Sequence, residues 1–566
     1  MESTALSPAR RSRDLERLRT QTFDLVVIGG GVTGAGIALD AVTRGLTVAL
    51  VEQRDLAAGT SSRSSKLIHG GLRYLEQGNL GLVREALRER QLLLGELAPH
   101  LVRPVSFVYP LQHRVWERAY VAAGVALYDT LGGARHLPRH QQLSRREALR
   151  LVPALRGDAL VGAIRYWDAQ VDDARHTMEL ARTAAAYGAA VVTSTRVTDL
   201  LREGERVVGV RARDQEGGED LEVRGRQVVN ATGVWADGIQ EMAGRGRIRV
   251  RASKGIHLVV PKDRIHADSG LILRTASSVL FVIPWGRHWL LGTTDTDWNL
   301  DLAHPAASAR DIQYVLDRVN GVLRTPLTHA DVEGVQAGLR PLLYGESEAT
   351  SQLSREHAVA QTVAGLITIA GGKYTTYRVM AKDAVDAAAR NLRHRVPPCV
   401  TDRTPLLGAQ GWHARWNRRH RLADEAGLHP SRIEHLLGRY GALADEVLDL
   451  LADRPELGER IDGAEDYLKV EAVYAASHEG ALHLDDLLTR RTRISIETFD
   501  RGLAAANDVA PLMGEVLGWD EDDVAREIAH YEARVAAEVE SQRMPDDRTA
   551  DAARMGAPDV RGGGLA

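Results

Sequence analysis

Residues Phe23 to Glu52, FDLVVIGGGVTGAGIALDAVTRGLTVALVE, constrain the fold of this chain more than any other stretch. Phe23 to Ile28 is a short apolar run rich in β-branched residues that stops at three glycines, the pattern of a buried strand entering a tight turn. A helix is predicted from about Thr33 to Arg44 and is closed by Gly45; a second apolar run, Leu46 to Val51, then ends at Glu52. The whole is a strand-helix-strand unit of about 30 residues. Gly29 makes the turn, Gly31 lets backbone approach a pyrophosphate, and Gly34 lets the helix pack closely on the strand. The helix start offers free N–H groups and the positive end of its dipole to that pyrophosphate. Glu52 lies where a carboxylate hydrogen-bonds a ribose hydroxyl and repels a 2′-phosphate, which predicts FAD or NAD over NADP without choosing between the two. A lone GxGxxG is weak; strand, glycines, helix, second strand and terminal acid together are specific.

A chain of 566 residues exceeds what one core usually supports, so two or three domains are expected, and a hydrophobic fraction of 44% suffices to fill them. With 72 basic and 76 acidic side chains the net charge is −4, and no nucleic-acid partner is expected. The single cysteine, Cys399, excludes an internal disulfide, a thiolate metal cluster and a CxxC pair, and fits a reducing cytosolic setting. No apolar run approaches the ~20 residues needed to span a bilayer. Residues 1–22 carry basic side chains but no apolar core, so they read as a disordered extension and not a signal peptide. The Gly-, Asp- and Arg-rich stretch 544–566 reads as a flexible tail.

After Glu52, the small and polar residues Ala57 to Ser65 form a loop, followed by a helical pattern from about Leu80 to Leu97. The run Ala119 to Tyr128, with Trp116, Tyr120, Tyr128, Arg114 and Arg118 around it, is either a buried helix or one lying in a membrane interface. Between Leu160 and Arg226 strands and helices alternate; Asp172 or Asp173 caps a helix from Ala174, and strands at Arg206–Arg213 and Asp220–Arg224 form a hairpin. Gln227 to Ala236 is a buried strand ending in a small-residue turn. Apolar alternation from Ile248 to Thr294 predicts an antiparallel sheet in a second domain, with helical turns at Ser308 to Leu323 and a strand near Val332. Gly365 to Leu392 repeats strand, double glycine, helix. Beyond the prolines at Pro397 and Pro398 the chain is helical with charged faces to about Gln542.

The strings TSSRSSKLIHGGLRYLE, VDDAR, NATGVWAD, KGIHLVVP, FVIPWG, LGTTDTDW, GLRPL and AGGKYTTYR resemble, in order, the respiratory FAD-dependent glycerol-3-phosphate dehydrogenases of bacteria and mitochondria. The likeness spans roughly Asp24 to Leu392. It implies an α/β plus α+β fold: a glutathione-reductase-like Rossmann FAD domain, a β-sheet substrate domain and a C-terminal helical domain. FAD parts are expected at about 23–100, 160–245 and 360–395, substrate parts at 101–159 and 246–359, and the helical domain at 396–543. The resemblance also implies oxidation of sn-glycerol 3-phosphate to dihydroxyacetone phosphate, with electrons passed to a membrane quinone. The expected location is cytoplasmic, peripheral on the inner face of the membrane, and the expected assembly is a homodimer.

On that resemblance, His257 in KGIH is the base for the C2 hydroxyl, a task an imidazole performs near neutral pH. Arg340 and Arg355 are phosphate-side arginines, since guanidinium forks suit a phosphate dianion, and Arg73 and Tyr74 add a cation and a hydroxyl. Lys373, at a helix start, stabilises negative charge near the flavin N1 and C2 carbonyl. Thr375 and Thr376 add hydroxyl donors. Thr60, Ser61, Ser62, Ser65, Lys66, His69, Gly70 and Gly71 wrap the cofactor, joined by Val197, Gly233, Asp295 and Gly372. No metal is expected, because Asp295 and Asp297 lack the glycine and terminal glutamate of a calcium loop. The rival readings are an oxidase passing electrons to O2, an amine or amino-acid oxidase of the same fold, and a flavin-binding module without turnover.

Overall fold

Buried apolar residues run the whole length of the strand Phe23–Ile28 except at Asp24, and the strand accordingly lies in the middle of a sheet. The computed structural model describes residues 4–71, 79–113, 116–132, 137–244, 246, 248–275, 279–344, 356–557 and 559–561. Phe23–Ile28 pairs in parallel with Asp220–Asn230 on one side and Val48–Val51 on the other, and Ala190–Val192 and Leu366–Gly371 extend the parallel array. Helices Val32–Thr43, Asp173–Ala186 and Tyr377–Ala389 supply apolar residues to one core. The antiparallel pair Thr195–Glu203 and Arg206–Asp214 fills a second core with the opposite residues of the central strands.

Asp220–Asn230 merges two expected strands. Its first half pairs antiparallel with Arg206–Asp214, and beyond Gly225 it joins the parallel sheet. The ten-stranded second sheet centres on Val250–Pro261, flanked by Gly334–Leu343 and His288–Gly292. This sheet also takes Leu67–Ile68 and Gly162–Gln170, two segments expected in the cofactor part. Strand Gly162–Gln170 alternates along its nine-residue ladder with Arg103–Leu111, and that pairing outweighs its place in the chain. Helices Arg145–Leu151 and Ala309–Asn320 close one face of the sheet.

Both ends of the chain depart from expectation. Pro8–Thr20 is a helix, not a disordered extension: Ser7 caps it, Pro8 starts it, and Leu15 and Leu18 enter the core against Phe23 and Val26. Its charges are satisfied within the helix and from far along the chain: Arg10 by Asp14 and the Ala185 carbonyl, Arg11 by Asp214 at 2.6 Å. At the other end Asp547–Arg554 is a helix, not a flexible tail; Ala550 is buried and Asp547 pairs with fully buried Lys254 at 2.5 Å.

The C-terminal region is helical with one small hairpin, Arg460–Ile461 with Ala464–Leu468. Buried ion pairs tie it to the cofactor part. Arg490 and Arg491 meet Asp55, Arg493 meets Asp172 and Asp173, and Arg175 meets Glu479. Removing one member of such a pair strands a buried charge at about 3–5 kcal/mol. Helix Trp116–Gly132 turns Tyr128 inward to Asp168 at 2.8 Å and leaves Trp116 and Tyr120 exposed at 59% and 53%. Among the described residues no helix is long and apolar enough to cross a membrane.

Candidate active site

The carboxyl ends of the parallel strands open on a cavity of about 1670 Å³. Ligands bind there in open α/β sheets because loops and helix N-termini converge there. At Gly29 the backbone has φ +110°, and a Cβ would stand 2.8 Å from the Ala231 carbonyl oxygen. A Cβ at Gly34 would stand 1.9 Å from the Gly29 oxygen, so only glycine lets the helix lie on the strand. Gly31 faces the cavity and caps helix Val32–Thr43 without a side-chain bond, and Ser61 Oγ accepts from the Val32 N–H at 2.9 Å. Glu52 accepts from the N–H groups of Gly30 at 2.6 Å and Arg54 at 2.8 Å. Burial raises its pKa while those two bonds oppose the shift. Thr60, Val197 and Gly233 line the same cavity.

At the other end the cavity meets the second sheet. Register sets Ser253 against Arg340, Gly255 against Gly338, and His257 against Gln336. Alternation then puts all six side-chain positions on one face. His257 Nε2 lies 2.9 Å from Ser65 Oγ, and Nδ1 is buried without a hydrogen-bond partner among the described residues. Burial first, then the charges of Arg340 and Lys66, pull the His257 pKa down to about 3, so the ring is neutral at physiological pH. Gly292 admits that ring, since a Cβ there would stand 2.3 Å from Cδ2. Arg340 Nη2 donates to Thr293 Oγ1 and the Thr294 carbonyl, both at 3.1 Å, and Nη1 pairs with Asp295 at 3.5 Å. Asp295 also accepts from Ser253 Oγ.

Gly371 and Gly372, at φ +79° and +81°, turn the chain so that Lys373 lines the cavity at the start of the turn Tyr374–Thr376. Thr375 Oγ1 accepts from the His69 N–H at 3.1 Å and donates to the His69 carbonyl at 3.2 Å, binding the two loops together. Thr376 donates to the Lys373 carbonyl.

Three residues expected at the cofactor, Ser62, Lys66 and Gly70, do not line the cavity. Ser62 is buried and its Oγ donates to the Gly59 carbonyl at 3.4 Å. Lys66 is wholly buried beneath the loop, its Nζ bound to Asp173 at 2.7 Å and the Ser62 carbonyl at 3.2 Å. Gly70 gives its N–H to Tyr128 and packs on Leu87. Ser65, Leu67, His69 and Gly71 line it instead. Arg73, Tyr74 and Arg355 lie outside the described residues. Ser253, Gly255, Gly292 and Thr293 escaped the sequence reading; only strand register puts them beside His257 and Arg340.

A family model described as FAD dependent oxidoreductase matches residues 24–378. A glycerol-3-phosphate dehydrogenase of Mycobacterium leprae is 61% identical over 560 residues, covering 99% of this chain and 96% of that protein. The chain belongs to the FAD-dependent glycerol-3-phosphate dehydrogenases.

Other members lie farther away. The human mitochondrial glycerol-3-phosphate dehydrogenase is 37% identical over 554 residues, covering 93% of this chain and 75% of that protein. The crystal structure of the Bacillus halodurans glycerol-3-phosphate dehydrogenase complexed with FAD superposes with a TM-score of 0.78 at 30% identity, covering 94% of this chain and 98% of that one. Residues 399–524 match a model described as the C-terminal domain of alpha-glycerophosphate oxidase. FAD is the cofactor of this family, and the cavity fits it: a helix start capped by glycine, a carboxylate at the second strand end and a volume beyond the ~300–1,000 Å³ of ordinary small-molecule sites.

Proposed function

We propose that the chain oxidises sn-glycerol 3-phosphate to dihydroxyacetone phosphate and delivers the electrons to a membrane quinone. The observation that carries this reading is a neutral imidazole, His257, on the same face of the sheet as the guanidinium of Arg340 on the neighbouring strand. We assign the ring proton to Nε2, donated to Ser65 Oγ, which leaves Nδ1 as the acceptor for the C2 hydroxyl proton. Arg340 grips the phosphate, together with Arg355, Arg73 and Tyr74, while Thr293 and Asp295 orient its fork. FAD, when bound, supplies the two-electron acceptor. Gly29, Gly31, Thr60, Ser61 and Gly233 would hold its pyrophosphate side, Glu52 and Val197 its adenosine side, and Asp295, Gly372, Lys373, Thr375, His69 and Gly71 its ring side. Trp116 and Tyr120, together with Leu127 at 42% exposure, support attachment to a membrane surface through one helix. A homodimer remains the assembly we expect.

The name of the C-terminal family model favours one second reading, an oxidase releasing hydrogen peroxide. Turnover of glycerol 3-phosphate is therefore to be measured with a quinone analogue and with O2, beside glycine and proline as substrates. Quinone-dependent turnover of glycerol 3-phosphate alone is expected. Peroxide formed at the full rate of turnover would favour the oxidase, and turnover of the amino acids would remove the substrate assignment.

A further inference from the structure

Behind the loop Thr60 to Ser65 lies a second, smaller chamber of about 80 Å³. It has room for a few waters or one small ion. Guanidinium groups dominate its wall, and they are unequally matched. Arg490 is tied to Asp55, Asp485 and Asp486, Arg493 to Asp172 and Asp173, and Arg534 to Asp485 at 3.0 Å. Both oxygens of Asp485 are thereby engaged. Arg63, in contrast, forms no ion pair or side-chain hydrogen bond among the described residues. Arg554, 5% exposed, comes only to 3.8 Å from Glu538, beyond hydrogen-bond distance.

A neutral donor completes the wall. Gln542 Oε1 accepts from Arg501 at 3.3 Å, which leaves Nε2 as the amide's other end, buried and without a partner among the described residues. A buried donor left unpaired costs about 1–3 kcal/mol, so the Gln542 amide, with two guanidinium groups beside it that no carboxylate reaches at hydrogen-bond distance, asks for an acceptor. Burial, followed by the charges of Arg54, Arg554, Arg534 and Arg490, pulls Arg63 down to about 9. Burial and Arg534 pull Arg554 down to about 10, with Glu538 opposing. In both, burial is the largest cause and the neighbouring guanidinium groups add to it.

We propose that this chamber binds one small oxyanion of the phosphate class, held by Arg63, Arg554 and the Gln542 amide. The site is separate from the cavity that takes the substrate, although Arg63 forms part of the wall of both. An anion there pins the loop that carries Ser61, bonded to the Val32 N–H, and Ser65, bonded to His257. Free phosphate would thus stiffen the catalytic loop from behind.

The test is equilibrium dialysis of the FAD-loaded enzyme against radiolabelled inorganic phosphate, in an Arg340→Gln background that weakens the anion subsite of the main cavity. One phosphate per chain is expected. Arg554→Gln and Gln542→Leu, each added to that background, lower its affinity by about tenfold or more while the flavin absorbance ratio is unchanged. Absence of bound phosphate in the background protein, or binding indifferent to both substitutions, would overturn the proposal. Loss of FAD from Arg63→Gln with no phosphate binding anywhere would also overturn it, and would assign Arg63 to the cofactor's own pyrophosphate.

Discussion

Gly255→Ala is the sharpest perturbation of the anion grip, because it touches Arg340 without removing it. A Cβ at this position would stand 2.4 Å from Arg340 Nη2, 2.5 Å from Thr293 Oγ1 and 2.9 Å from Arg340 Cζ. The atoms in the way belong to side chains, so the strand keeps its register and the guanidinium retreats by about 1 Å to reach van der Waals distance. That displacement breaks the two 3.1 Å bonds that orient the fork. Loss of one or two charge-assisted hydrogen bonds corresponds to about 1.5–3 kcal/mol, a fall of ten- to a hundredfold in kcat/KM. Most of it should appear in KM, with FAD content and thermal midpoint close to wild type. Steady-state assays with glycerol 3-phosphate and with glycerol, which lacks the phosphate, separate the causes. The loss is expected only for the phosphorylated substrate. An equal loss for both, or none for either, would refute the assignment of Arg340 to the phosphate.

Glu52→Ala removes the acceptor of two backbone N–H groups and the ribose partner, so the FAD dissociation constant, read from flavin fluorescence, should rise at least tenfold, on the order of 1.5–3 kcal/mol. Asp547→Ala leaves buried Lys254 with Asp311 alone and should lower stability to urea by on the order of 1 kcal/mol, whereas a loose tail would show no change. Burial holds His100, His176, His257 and His304 near 3, while the unfolded chain protonates each near 6.5. The unfolded state therefore binds more protons between those values, and stability falls as pH drops from 6.5 toward 3, by roughly 2 kcal/mol per histidine at pH 5. His483 has the opposite sign. Against the pull of burial and of Arg561, its bonds to Glu216 and Glu527 raise it to about 9, so its contribution is fully present below 6.5 and lost as pH rises through 9. A thermal midpoint flat from pH 5 to 7 would contradict the first of these statements, and His483→Gln with an unaltered alkaline limb the second.

The cofactor half was legible because its signals are local. Turn, helix start and terminal acid of the first strand-helix-strand unit lie within thirty residues, and the contacts of Gly34 with Gly29 and of Glu52 with Gly30 follow from chain geometry alone. Lys66 and Gly70 were misplaced although a local signal existed: positions 65, 67, 69 and 71 face the cavity, and the residues between them point away. The termini were illegible for a different reason. Ser7 and Pro8 announce a helix, yet Arg11 of that helix pairs with Asp214 across 203 positions, and Asp547 meets Lys254 across 293. Composition sees unpaired charge in such a segment where the folded chain has ion pairs. Ser253, Gly255 and Gly292 carry no chemistry of their own and acquire their roles only through register with Arg340 and His257.

The account stands on His257 as the acceptor of the substrate's hydroxyl proton. Anaerobic stopped-flow mixing of the FAD-loaded enzyme with glycerol 3-phosphate, followed at the absorbance of oxidised flavin, addresses that claim directly. The wild-type flavin should bleach rapidly, and His257→Gln should keep its FAD while bleaching about a hundred- to ten-thousandfold more slowly. Flavin that stays oxidised in the wild type, or bleaches at the wild-type rate in His257→Gln, would contradict it.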